Sequence, residues 1–184
     1  KTPMNGSLSI EKRRDLLHLA RESIAARLAG EPAPALKTKD PLLAEKRGAF
    51  VTLTRRGELR GCIGYPLPLK PLAEAIAEMA AAAAFEDPRF EPVAAEEMDD
   101  LHIEISVLTL PVPAEKPEDV VVGRHGIIVS QGGRKGLLLP QVPVEYGWKR
   151  ETFLSHGCLK AGLPPDAWKK GARIEIFEAE VFGE

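Results

Sequence analysis

The chain has 184 residues, 44% of them hydrophobic and 28% charged, with a formal net charge of −2. That length suits one compact domain burying roughly two-thirds of its unfolded surface, and the interspersed acids and bases leave no basic field to collect nucleic acid or anionic lipid. No run approaches the roughly 20 apolar residues of a membrane helix and the opening KTPMNGSLS lacks a signal peptide's apolar core, so a cytoplasmic protein is expected.

Residues 1–7 are expected to be a frayed or appended start, with the domain over 8–184. Ser9 suits a helix cap, and Ile10, Leu17, Ala20, Ile24 and Leu28 recur at helical spacing until Gly30 and Pro32 stop the helix. His18 in this helix reads as a partly exposed helix histidine. Glu31 to Pro41, with three prolines, is a connector.

GAFVTLTR and LRGCIG then form a hairpin turning near Arg55, Arg56, Gly57 and Glu58. Alternation puts Leu59, Gly61 and Ile63 on the core face, with Arg60, Cys62 and Gly64 opposite. YPLPLK cannot continue a ladder, so Cys62 falls close to a strand end, where loops and helix termini build sites.

Pro71 opens a second helix whose buried stripe is Leu72, Ile76, Met79 and Ala83. Its alanine run makes a narrow rod that can lie close on a sheet. FEDPRF ends it, because Pro88 excludes helical geometry at Asp87; Asp87 and Arg89 either pair locally or face the site. Leu101 to Leu110 is the clearest strand. Its outer row of His102, Glu104 and Ser106 lies about 7 Å from residue to residue, too far for a proton relay, and reads as a solvated face.

GRHGIIVS and GLLLP flank QGGRKG as a second hairpin; a phosphate cradle would instead open a helix. His125 stands at the start of that strand with room for its imidazole to reach out. PQVPVEYGW leads into a third helix over about Lys149 to Ala161, with Phe153, Leu154, Cys158 and Ala161 inward, so Cys158 reads as a packed, inert thiol. Arg173 to Phe182 reads as one last strand.

The two cysteines have neither CxxC nor zinc spacing, so reduced thiols are expected and no metal or other cofactor is implied. A free thiol ionises near pH ~8.5. A guanidinium about 6 Å away favours thiolate by about 3 kcal/mol at an effective dielectric of about 20, but by only ~0.7 in bulk water. Cys62 beside Arg60 is therefore either a nucleophile in a partly enclosed cleft, with His125 and Glu145 as acid/base candidates, or a small residue filling a tight glycine-flanked site.

LRGCIG, EMAAAAAFEDPRF, LHIEISVL, GRHGIIV, GLLLPQVPVEYGW and CLKAGLPPDAW, in that order, resemble the AMMECR domain family over nearly the whole chain. The resemblance implies an α+β fold, a predominantly antiparallel sheet flanked by helices, with two unequal lobes and a cleft between them. It also implies a cleft lined by Arg60, Gly61, Cys62, Gly64, Arg89, His125, Glu145 and Trp148. Tyr65 and Pro143 depart from the residues usual at those places. Microbial relatives resemble one member of a set that includes a Memo-type protein and a radical S-adenosylmethionine protein. A binding or partner module acting with such proteins, or taking a small-molecule or peptide ligand, is the first expectation, and an enzyme built on Cys62 the second.

Overall fold

The computed structural model describes residues 7–36 and 39–184, so the expected frayed start lies almost wholly outside the described residues. Leu8, just inside them, is buried, and its amide donates to Glu180 at 3.1 Å. The chain divides into two compact units, one running to Leu108 and rejoined by Glu180–Glu184, the other Thr109–Ala179.

The first unit begins with α1 (Ile10–Leu28), capped by Ser9, whose hydroxyl accepts from the Lys12 amide at 3.3 Å. Its buried face is Leu16, Leu19, Ala20, Ser23 and Ile24. Leu17 and Leu28 sit at the margin of that face, while Ile10, about 120° around the helix from Leu16, is 72% exposed. A single turn, α2 (Pro41–Ala44), is capped by Asp40 and followed by β1 (Ala49–Arg55) and β2 (Glu58–Tyr65). Arg56 and Gly57 have φ of 53° and 81°, the left-handed pair of a tight hairpin turn whose twist matches the strands. α3 (Leu72–Phe85), β3 (Leu101–Leu108) and β8 (Ala179–Gly183) complete the unit, with sheet order β2-β1-β3-β8.

Val51, Leu53, Ile103, Ile105 and Val107 point to the helices, with Ile76, Met79 and Ala83 of α3 in the same core. Thr52, Cys62, His102 and Glu104 lie on the other face, as the alternation of β1 and β3 and their registers require.

One expectation fails within β2. Leu53 pairs with Gly61 but Thr54 pairs with Leu59, so Arg60 is an extra residue in a β-bulge. The slip turns Leu59 off the core face, where it is 43% exposed. Gly61 instead presses onto α3: a Cβ there would stand 2.1 Å from the Ala83 carbonyl oxygen. The alanine rod thus does what its side-chain poverty allows, and the strand meets it with no side chain at all.

The second unit is the sheet β4-β7-β5-β6, from β4 (Val112–Pro113), β5 (Gly126–Gln131), β6 (Arg134–Leu138) and β7 (Arg173–Phe177). Its helices are α4 (Val142–Tyr146) and α5 (Arg150–Lys160). QGGRKG is a hairpin turn, with Gly132 and Gly133 at φ 57° and 81°. Phe153, Leu154 and Cys158 of α5 pack on Ile127 and Val129. The expected single last strand is two: β7 pairs in this sheet and β8 in the first. Glu178 separates them, exchanging 2.8 Å bonds with Thr109, amide to carbonyl one way and amide to hydroxyl the other. Period-two alternation does not name a strand's partner, and the adjacent apolar pair Ile176 and Phe177, which shifts its phase just before Glu178, marks the break only locally.

Gly61→Ala is expected to cost about 2–3 kcal/mol through overpacking against backbone. Gly57→Ala, where nothing lies within 4 Å and only the left-handed φ is strained, should cost about 1 kcal/mol. Urea unfolding midpoints measure both, and equal losses would contradict the contact.

Candidate functional site

β2 is an edge strand, so its outward N–H groups have no neighbouring strand to receive them. The amide of Cys62 donates instead to Asp87 Oδ2 at 3.0 Å. Asp87 reaches it because α3 ends at Phe85 and Pro88 forces the chain to turn. The Arg89 amide then donates to Asp87 Oδ1 at 3.0 Å, closing an Asx turn. The Arg89 side chain folds over the same carboxylate, Nε to Oδ1 at 3.0 Å and Nη2 to Oδ2 at 2.8 Å.

Asp87 is 4% exposed. The Arg89 fork holds its carboxyl well below the usual carboxylate range, helped by the two backbone amides and opposed by burial. Arg89 is held above its ordinary value chiefly by Asp87, with a smaller contribution from Cys62. Asp87 and Arg89 therefore pair locally, the first of the two alternatives for this loop, and the pair also clamps the Cys62 strand. Arg89 is still 55% exposed, with its guanidinium 5.5 Å from the centre of the Phe90 ring.

Arg60 is occupied elsewhere. Bulged out of the ladder, it makes a two-pronged pair with Glu97, Nε to Oε1 at 2.9 Å and Nη2 to Oε2 at 3.1 Å. Glu97 also accepts from the Ala94 amide at 2.7 Å and from Arg55 at 3.3 Å. Its carboxyl is lowered to about 2, first by the Arg60 bonds and then by the Ala94 amide. The cation beside the thiol is Arg89, from another loop, rather than the neighbour in sequence.

On the open face, Cys62 pairs across the ladder with Thr52, and Thr52 with Glu104. Thr52 Oγ1 lies 3.2 Å from Cys62 Sγ and, among the described residues, is the side chain in hydrogen-bond contact with it. Gly64 lies beneath the Phe50 ring, where a Cβ would stand 2.4 Å from ring carbons. Gly61 and Gly64 thus serve packing, while Cys62 and Arg89 present chemical groups. Tyr65 donates to Glu78 at 3.1 Å.

The remaining candidates belong to the second unit. His125 does not reach out: it is 5% exposed, and its Nδ1 accepts from the Val121 amide at 3.0 Å. Its Nε2 lies 3.6 Å from Glu178, which also accepts from Arg124. An imidazole wedged into the turn before β5 explains the difference, since its ring completes that turn's hydrogen bonding. Glu145 is exposed on α4. Trp148 stacks on Tyr146 at 4.9 Å and 15°, and on His156 at 3.8 Å and 7°, an aromatic set that one-dimensional spacing does not show. Cys158 is fully buried, and burial pushes its thiol up. Among the described residues no helix is long and apolar enough to cross a membrane.

Two antiparallel four-stranded sheets carrying helices, with the LRGCIG strand clamped at its edge, define an α+β protein. The AMMECR1 family matches residues 17–182, and the chain belongs to that family. It is 51% identical to protein MK0488 of Methanopyrus kandleri, over 98% of this chain and 92% of that protein. Protein PH0010 of Pyrococcus horikoshii is 49% identical, over 92% and 88%. The crystal structure of that uncharacterized protein matches with a TM-score of 0.72 at 48% identity, covering 92% of this chain and 90% of that one.

Iodoacetamide at neutral pH should label Cys62 well before Cys158, read by peptide mass spectrometry; equal rates would contradict the packing of Cys158. Glu97 has a folded-state value of about 2, below its unfolded value of about 4.3. Its pair thus stabilises fully above pH ~5 and is lost as pH falls toward 2. Glu97→Gln should lower stability at pH 7 and flatten the acid limb of the stability curve between those limits, followed by urea unfolding at each pH.

Proposed function

We propose that this chain is a binding module whose open sheet face, at Cys62 and Arg89, receives a partner, and that its partners are Memo-type and radical S-adenosylmethionine proteins. The observation that carries the reading is the Arg89 guanidinium. It is fixed by a buried carboxylate beside the thiol and more than half exposed, with Nη1 outside the Asp87 fork. A preorganised cation in a loop clamped to a strand edge is suited to recognising a carboxylate or phosphate group, since little ordering is left to do on binding. The residues around the thiol support recognition over catalysis. Thr52 offers a neutral hydroxyl, Asp87 is saturated by four hydrogen bonds, and Arg60 is committed to Glu97. No general base in this unit stands in hydrogen-bond contact with the sulfur among the described residues.

Immobilised Memo-type and radical S-adenosylmethionine proteins, offered the chain and its variants, test this. Arg89→Ala should reduce retention about tenfold, equivalent to ~1.4 kcal/mol, and Arg89→Lys should restore part of it. Cys62→Ser should be retained like the parent. Retention indifferent to Arg89, or lost only with Cys62→Ser, would overturn the reading in favour of thiol chemistry.

A further inference from the structure

A second concavity lies on the helical layer of the first unit and shares no residue with the Cys62 face. It is a groove of about 670 Å³ between α1 and α3, lined on one side by residues 31–36. Ala73, Ala77 and Ala81 line it at successive turns of α3, and Leu36 and Leu43 form apolar walls. Ser23 lies among them, but its hydroxyl already donates to the Ala77 carbonyl at 2.6 Å, so the lining has no spare donor there. Among the described residues, the charged groups that line it are four carboxylates, Glu31, Glu74, Glu78 and Glu86, against one guanidinium, Arg27. Arg27 is taken by Glu86 at 3.2 Å, and Glu78 by Lys70 and Tyr65. Glu31 and Glu74 are exposed and have no ion pair among the described residues.

We propose that this groove receives the apolar side of an amphipathic helix flanked by basic residues, supplied by a partner protein. The occupant follows from three features. A helix satisfies its own backbone N–H and C=O groups, so its apolar side can meet the alanine and leucine lining without leaving backbone polar groups unpaired. Ala73 to Ala81 spans about 12 Å of helix axis, against roughly 10 Å between the first and last apolar anchors of a two-turn helix. Alanine side chains leave room for larger ones to enter. Glu74 comes from the first turn of α3 and Glu86 from its C-terminal cap, with Glu31 just beyond the end of α1, so acidic groups stand toward both ends. Basic residues on either side of an apolar stripe complement that distribution.

The probe is a fluorescein-labelled peptide of leucine and lysine with leucines at helical spacing, titrated into the full chain and followed by anisotropy. A leucine and glutamate peptide of the same pattern is the control. The Leu/Lys peptide should bind and the Leu/Glu peptide should not. Ala77→Phe and Ala81→Phe, which fill the groove, should each weaken binding about tenfold or more; Ala81 is only half-buried, so that variant keeps the test open if Ala77→Phe fails to fold. Glu31→Lys combined with Glu74→Lys alters exposed residues only and should weaken binding similarly while removing its salt dependence. Absence of Leu/Lys binding, equal binding of Leu/Glu, or indifference to groove filling would overturn the proposal. Sensitivity to groove filling without sensitivity to charge reversal would overturn the basic occupant. Dodecylammonium binding in the groove without peptide binding would overturn the helix in favour of a small amphiphile.

Discussion

A single buried carboxylate ties the site together. Asp87 gathers the Cys62 amide, the Arg89 amide and two nitrogens of the Arg89 guanidinium, so one side chain closes the loop after α3, satisfies the edge of β2 and ties a cation to the Cys62 backbone. Burying a carboxylate without partners costs several kcal/mol. Here burial is offset by four donors, two of them on a guanidinium that itself remains in contact with water. The arrangement is held from two parts of the chain, one donor coming from Cys62 on β2 and three from Arg89 in the loop after α3.

The bulge at Arg60 is the second organising device. Removing one residue from the ladder lets Gly61 meet the backbone of Ala83 while Arg60 swings to Glu97. Arg55, Arg56 and Asp100 extend that pair into a surface network at the hairpin's end. Exposed ion pairs contribute little one by one. This network's main consequence is geometric, since it commits the Arg60 guanidinium to Glu97 while Arg89 is committed to Asp87.

Much of the fold was legible in residue patterns. The Ser9 cap, the alternation of Leu101 to Leu108, the inward row of Phe153, Leu154 and Cys158, and the two hairpin turns all follow from local rules with strong signals. What was not legible depended on partners distant in sequence. Bulges leave no mark in a pattern of apolar residues, so Leu59 was assigned to the wrong face. Strand partners are not encoded by alternation, so Arg173 to Phe182 reads as one strand rather than two in different sheets. Arg47, 1% exposed with Nε on the Leu108 carbonyl at 2.7 Å, had nothing in its surroundings to distinguish it from a surface arginine. Of the site, Cys62 was found from its glycine-flanked strand, and the Asp87–Arg89 turn from Pro88. Their convergence on one amide was not, because it joins the edge of a sheet to the end of a helix.

The first unit thus carries two unlike surfaces, a sheet face with a fixed cation beside a thiol and an acidic-rimmed apolar groove on its helical layer. The sheet face depends on Asp87 being ionised while buried. The most direct measurement is the carboxyl-carbon chemical shift of Asp87 followed by NMR as pH is lowered. With Arg89 and two amides holding the charge, that resonance should stay unprotonated through the ordinary aspartate range around pH ~3.9, down to where the fold itself is lost. A transition at or above that range would mean the clamp does not exist as described.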